Sequence, residues 1–375
     1  MLGGVHLSLM IGPAVPIPAP EVVTSALTSA QVTSSNDRSG FQLVFTAGKA
    51  SPLLTTLLPA GYFDPMITRV ILIATLRGIP HVLMDGMVTR QEVVASNEPG
   101  KSTITITGED LSILMDIVEM PFMRFPAQPA IVRVYSILAR YAAFGIAPLA
   151  IPPVIPDFSN PLEELPTQTD TDRAYLRKLA SDVGYVFFVE PGPLPGANLA
   201  YWGPDVRLPV PQPALTVNMD AHTNVEALSF SLDGLAKKIF VMTVYDEVTK
   251  KIPIPIPVPN ISVLRPPMGV RLPPPSKVQF PSDMAKLTTT KAISKALAMS
   301  FAASDSITAS GSLNVLRYGW ILRARMMVGV RGAGVAYDGM YYVNSVTHNL
   351  KPGEYKQSFT LSRDGLISNT PVVVP

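Results

Sequence analysis

The sequence predicts an α+β protein that is mostly β, with a β region, an α/β insert and a second β region in chain order. Three observations carry that reading. Ser102 to Gly108 reads STITITG, alternating Thr and Ile, so Ile104 and Ile106 face a core. Near the far end, Tyr355, Gln357, Phe359 and Leu361 alternate with Lys356, Ser358, Thr360 and Ser362. That is the period of a strand with one buried face and one wet face. Between the two, Ile131, Val134, Ile137, Leu138 and Tyr141 recur at helical spacing within Pro129 to Phe144.

Residues 1–120 are expected to form the first β-barrel domain. Phe41 to Phe45 is short and β-rich, and Val70 to Leu76 is a continuous apolar run suited to a strand buried on both faces. Val82 to Met84 and Met87 to Arg90 flank Asp85-Gly86, which predicts a hairpin about that turn. Glu98-Pro99-Gly100 turns the chain into STITITG, and Ser51 to Leu58 suits one or two helical turns opened by Pro52. Short strands separated by turn signals suggest a small barrel or sandwich.

Residues 121–210 read as the insert. A short helix over Leu114 to Val118 leads in, and the helix from Pro129 stops at Gly145. The proline-rich stretch 147–166 is expected as loop. Thr169-Asp170-Thr171-Asp172 caps a second helix, Arg173 to Val183, with Leu176, Leu179, Ala180 and Val183 as its apolar stripe. Gly184 ends it and Tyr185 to Val189 is a strand.

Residues 211–245 and 286–370 are expected to form the second β-barrel domain. Its strands are Leu215 to Met219, Val225 to Asp233 and Ile239 to Tyr245, followed by a helix over Lys286 to Phe301 and a strand over Trp320 to Val330. In that last strand Leu322, Ala324, Met326, Val328 and Val330 share one face, and Arg323 and Arg325 the other. Residues 246–285 interrupt the domain as a proline-rich arm. Ile252, Pro253, Ile254, Pro255, Ile256, Pro257 and Val258 are expected in polyproline II or irregular backbone, because each proline removes a ladder donor. The run is apolar, which favours an extended arm laid along another surface; a disordered loop is the alternative.

Composition bounds the function. Of 375 residues only 15% are charged while 47% are hydrophobic, which suits a chain that hides surface in an assembly, or one large core with neutral loops. The balance of 30 basic to 28 acidic residues gives +2, with no basic block for nucleic acid. With no cysteine, disulfides, thiolate catalysis and Cys-ligated zinc are excluded. Met1 to Pro20 has no Lys or Arg and four prolines, unlike a secretory signal, and Tyr141 to Pro156 is too broken by proline to span a membrane.

Chemical motifs are sparse. His6, His81, His222 and His348 form no ligand-spaced pair; Asp220 and His222 alone make no metal site. Gly332-Ala333-Gly334 is followed by Tyr337 in place of a third glycine and by no helix, so it is not a dinucleotide loop. Ser310-Gly311-Ser312 lacks the nucleophile-elbow form, and Glu163-Glu164 sits in a proline loop. No catalytic, cofactor-binding or metal residue is assigned, and no enzyme activity is expected.

The most specific stretch is Tyr337 to Gly365. Lys351-Pro352-Gly353-Glu354 joins two strands; Pro352 presets φ and Gly353 supplies the positive φ of a type II turn. Tyr337 and Gly339, then Tyr342, Val343 and His348, then Gly353 and Tyr355, then Phe359, Leu361, Arg363 and Gly365, resemble the C-terminal hairpin of the phage late-control D family. These are baseplate hub proteins of contractile tails, related to the hub part of type VI secretion spikes. The helix and strand within 170–205, closed by Tyr201-Trp202-Gly203-Pro204, and the phrase Thr223 to Phe230 resemble further parts of the family.

The resemblance implies two tube-like barrels per subunit and a homotrimeric, pseudo-sixfold ring. Such a ring joins a hexameric inner tube to a trimeric spike and contacts other baseplate components, without catalysis, cofactor or nucleic-acid specificity. It implies a structural hydrogen bond for His348, and a channel that Arg323 and Arg325 would line if their face points inward; a solvent-facing edge is the other outcome. The arm looks like an insertion, and no spike needle follows Pro375, so the spike is expected as a separate protein. Assembly in the bacterial cytoplasm and residence in a phage tail or injection particle follow. The competing functions are a β-rich surface module gripping glycan or protein, and a tail-associated cell-wall hydrolase.

Overall fold

The computed structural model describes residues 4–36, 38–98, 100–153, 165–207, 210–245, 253–257, 265–279 and 289–369. The first β region comprises β1 (Val5–Pro13), β2 (Ile17–Pro18), a short helix α1 (Glu21–Ala26), β3 (Leu27–Ser35), β4 (Gly40–Ala47), β5 (Thr68–Leu76), β6 (Ile79–Val94) and β7 (Ser102–Asp110). The insert holds β8 (Met123–Arg124), α2 (Ala130–Leu138), β9 (Ile146–Ala150), β10 (Thr167–Gln168), α3 (Asp172–Asp182), β11 (Tyr185–Pro191) and β12 (Asn198–Pro204). The remainder holds β13 (Gln212–Thr216), β14 (Val225–Leu232), β15 (Lys238–Tyr245), β16 (Pro253–Pro257), β17 (Gly269–Arg271), β18 (Lys277–Gln279), α4 (Thr289–Ala302), β19 (Ile307–Asn314), α5 (Val315–Tyr318), β20 (Met327–Arg331), β21 (Gly339–Lys351), β22 (Glu354–Arg363) and β23 (Leu366–Ser368).

The two β regions share one sheet. β3 pairs antiparallel with β21, from Ala30 opposite Leu350 to Ser35 opposite Ser345, so the order runs β14-β19-β22-β21-β3-β4-β7-β6-β5-β1-β2. Phe45, Leu43, Ile104 and Ile106 of the first region lie in one apolar core with Val343, Val346, Tyr355, Phe359 and Leu361 of the second. The insert has its own core around Trp202, Leu176, Val134 and Phe187, where the Trp202 indole donates to the Leu176 carbonyl at 3.2 Å.

Four local expectations are corrected. Asp85-Gly86 is no turn: it lies inside the sixteen-residue β6, and the chain reverses at Arg77-Gly78, both in left-handed backbone. Asp85 is a buried acceptor, bound by Arg69 through Nε and Nη2 at 2.7 Å each and by Asn198 Nδ2 at 2.8 Å. Gly86 is there for space, since a Cβ would stand 2.1 Å from the Glu109 carbonyl oxygen. That Arg69–Asp85–Asn198 group ties the sheet to the insert.

The stretch 147–166 begins as strand, not loop: β9 runs parallel to β12 at the edge of a three-stranded sheet. An edge tolerates Pro148, whose missing N–H faces away from the ladder. The strand expected over Trp320 to Val330 starts only at Met327. Side-chain amides replace neighbouring strands before it. Gln357 bonds the N–H and C=O of Leu322 at 3.0 and 2.8 Å, and Gln212 those of Arg323 at 2.7 and 2.9 Å.

The proline run also forms ladder. β16 pairs antiparallel with β15, placing Ile254 opposite Val244 and Ile256 opposite Met242. Prolines at alternate positions put every missing donor on one edge, so Ile254 and Ile256 can still bond inward. Ile252 and Val258 lie outside the described residues. Asp220 and His222 lie in a 3-10 turn.

Candidate functional site

The C-terminal hairpin forms as the alternation requires, with Tyr355, Gln357, Phe359 and Leu361 all buried and Ser358 and Thr360 exposed. Ser362 is the exception. It is buried against the Asp305 carboxylate, to which its hydroxyl donates at 2.6 Å. Gly353 turns the chain at φ 85°. His348 is buried, and its Nδ1 accepts from the Tyr355 hydroxyl at 2.8 Å and from Gln357 Nε2 at 3.2 Å. Burial, with the Arg323 charge nearby, pushes the imidazole down to about 3. Both contacts lie in a dry site and make the ring part of the packing between β21 and β22.

The other motif residues fasten the hairpin to its surroundings. Arg363, wholly buried, donates to the carbonyls of Asp338 and Ala336 at 2.8 Å each and lies 4.5 Å from the centre of the Tyr341 ring. Tyr337 stacks on Phe230 at 4.8 Å, and the Arg207 guanidinium covers Tyr342 at 4.5 Å. Gly339, at φ 127°, leaves room for Ser368. Gly365 passes so close to β17 that a Cβ would stand 2.7 Å from the Arg271 carbonyl oxygen. The Asp364 carboxylate accepts from the N–H groups of Met268 and Gly269, which anchors the returning end of the arm beside β23.

Arg323 and Arg325 do not share a face. Arg325 sits at φ 63° where three parts of the chain meet, its side chain 9% exposed. Its guanidinium lies 4.1 Å over the Phe188 ring, reaches Glu190 at 3.4 Å, and donates to the Ser35 carbonyl and the Ser39 hydroxyl. Arg323 is exposed beside His81, 3.1 Å from its Nδ1. Both follow Leu322, whose backbone is held by Gln357 from the buried side of β22. The alternation on which a lumen-lining role rested does not exist here. Glu163 and Glu164 lie outside the described residues. Among those described, no three His, Asp or Glu side chains gather as metal ligands, and no helix is long and apolar enough to cross a membrane.

What the structure assembles instead is a surface. The face of the sheet opposite the core runs across eight strands, β14-β19-β22-β21-β3-β4-β7-β6. Register places Ser229, Ser310, Thr360 and Ser345 in one row across it. Thr347, Thr33, Gln31 and Gln42 continue the face, as do Thr103, Thr105 and Thr107. Hydroxyls and amides bond across strands: Ser229 to Ser310 at 2.9 Å, Ser345 to Thr360 at 2.6 Å, Thr33 to Thr347 at 3.1 Å, and Gln31 to Asn349 at 3.0 Å. A depression of about 320 Å³ between β14, β19 and β22 is lined by the hydroxyls of Ser229, Ser231, Thr308, Ser310 and Thr360 together with Asn344 and the apolar Phe230, Ala309 and Leu361. Charges stand at the margins, where Lys356 pairs with Glu226 and Glu354, and Arg90 with Glu92. The alternations in the sequence marked each wet face separately; only pairing shows that they are one.

This architecture recurs in solved structures. A tail protein from Neisseria meningitidis MC58 superposes with a TM-score of 0.61 at 14% identity, covering 97% of this chain and 98% of that one. The chain has a phage tail protein fold. A 43 kDa tail protein of prophage MuSo2 from Shewanella oneidensis gives 0.62 at 13% identity, with 96% and 99% covered. A chain of the Francisella PdpA–VgrG complex gives 0.59 at 9% identity, covering all of this chain and 55% of that one. No family model and no curated protein sequence matches. The tail-protein matches therefore cover 96–97% of the chain, at identities where only fold is shared.

Proposed function

We propose that this tail-fold chain is the structural hub of a contractile injection particle, a phage tail or phage-tail-like device. It would join the hexameric inner tube to the trimeric spike as a homotrimer, each copy presenting two barrel-like lobes to make a pseudo-sixfold ring. The observation that carries the reading is the bare, neutral face spread over eight strands from both β regions. A face of hydroxyls and amides binds little, and a charge-poor wall lets a passing polymer slide without being held by either sign of charge. Its role in the ring is to line the channel, in place of the two arginines.

A glycan- or protein-gripping module would want aromatic side chains standing on that face, and the described residues place none there apart from half-buried Phe230 at the rim of the depression. The test is the mass of the purified chain by light scattering, alone and with the tube and spike proteins of the same particle. Three chains per particle, and a stable complex with the spike, are expected. A single chain that ignores both partners at micromolar concentration overturns the reading.

A further inference from the structure

Residues 265–271 return to the body over β20 and β21 and are held there lightly. Among Pro266 to Arg271 only the Met268 side chain is buried, against Met327, Met340 and Tyr342. Met340 and Tyr342 alternate along β21 with Tyr341 and Val343 of the main core, so this small cluster lies on the other face of the strand. The backbone makes the remaining contacts. The N–H groups of Met268 and Gly269 donate to the Asp364 carboxylate at 3.0 and 2.9 Å, and the Met268 carbonyl accepts from the Asn369 N–H at 3.0 Å. Gly269 runs so close to Gly365 that a Cβ would stand 2.5 Å from the Gly365 carbonyl carbon, so only glycine fits.

The seat itself is built without this segment. The Ser306 hydroxyl donates to the Asp364 carbonyl at 2.7 Å, the Ile367 N–H donates to the Ala336 carbonyl at 3.0 Å, and Met327 lies opposite Tyr342 in the β20–β21 ladder. The neighbouring ion group is also complete on its own. Arg207 holds both Asp305 oxygens at 2.8 Å and reaches Asp205 at 3.3 Å. Arg265 is a second guanidinium sharing those two carboxylates, at 3.7 Å each, and burial together with the Arg207 charge disfavours its own.

We propose that this seat is an exchangeable peptide site: residues 265–269 are its resident occupant, and an extended segment of a partner protein, carrying an unbranched apolar side chain followed by glycine, takes their place. The seat dictates that pattern. Asp364 receives two successive N–H groups, so neither residue is proline. The pocket of two methionines and a tyrosine suits a flexible, unbranched side chain. The Gly365 backbone admits glycine alone at the next position. Main-chain donors then supply the grip and one pocketed side chain the selectivity. On exchange Asp364 passes from one pair of N–H groups to another, and the Arg207–Asp305 pair stays whole. This site stands apart from the hub reading, which rests on the neutral face.

The probe is a fluorescein-labelled synthetic peptide of residues 265–272, RPPMGVRL, followed by anisotropy. Gly269→Ala in the full chain unseats the resident and leaves the seat intact. That variant should bind the peptide about tenfold or more tighter than the natural chain, which offers the seat only in its minor open fraction. A peptide carrying the same Gly269→Ala change should not bind. A Gly269→Ala chain that melts cooperatively but ignores the peptide, or takes both peptides alike, overturns the site. Should that variant fail to fold, amide exchange in the natural chain decides. Excess natural peptide should speed exchange at Met268 and Gly269, and unchanged rates overturn the site.

Discussion

His348 makes the fold sensitive to acid in a way that can be worked out. Its imidazole has an unfolded value near 6.5 and is pushed down to about 3 by burial, with Arg323 adding repulsion. A depressed folded value means the contribution is fully present above pH 6.5 and is lost as pH falls below it, because the unfolded chain takes up the proton first. At pH 5, one and a half units below 6.5, each unit costs about 1.4 kcal/mol, so the loss is about 2 kcal/mol relative to pH 7.5. Protonation would also make Nδ1 a donor facing Tyr355 and Gln357, which both donate to it now. The assay is urea unfolding at pH 7.5 and pH 5 for the natural chain and His348→Gln. Other titrating groups are common to both proteins and cancel, so the natural chain should lose about 2 kcal/mol more than the variant. Equal losses, or an NMR titration that finds the His348 ring protonating near pH 6.5 in the folded protein, would refute the reasoning.

Other consequences follow from packing. Arg69→Met strands the Asp85 carboxylate in a buried site and should cost about 3–5 kcal/mol, read as a drop in the urea midpoint; a change under 1 kcal/mol would mean water reaches Asp85. Gly365→Ala pushes a methyl against the Arg271 carbonyl and should loosen β17 from β23, seen as faster amide exchange at Gly269 and Arg271 with the rest of the sheet unchanged. Excising 252–258 removes the strand paired with β15, so it should lower the melting temperature slightly and weaken assembly with the partners. Excising 250–281 should also destabilise the fold, since it removes Met268 and Gly269 from the Asp364 carboxylate. Identical melting curves for the two deletions would contradict that anchoring.

Elements whose pattern is local were legible in the sequence. The hairpin, the STITITG strand and the α2 and α3 helices announce themselves through alternation, spacing, Gly145 and the Thr171 cap. The misses share a cause: each local signal was overruled by a distant partner. Asp85-Gly86 has the composition of a turn, but Arg69, Asn198 and the Glu109 carbonyl claim those two residues. Trp320 to Met326 alternates like a strand, but Gln212 and Gln357 occupy its backbone. The proline run counted against pairing until its even spacing met β15. The candidate site was legible only in fragments, because the row Ser229, Ser310, Thr360, Ser345 is assembled from four strands up to 131 residues apart, a register no single stretch encodes.

The account turns on where the neutral face points in the assembled particle. A cryo-EM reconstruction of the oligomer, alone or capped by its spike, measures that directly. The account predicts a threefold axis with Ser310, Thr347 and Thr105 lining the central channel and the α2–α3 insert outside. A reconstruction in which those residues face outward, or are covered by another protein with no open channel, contradicts it.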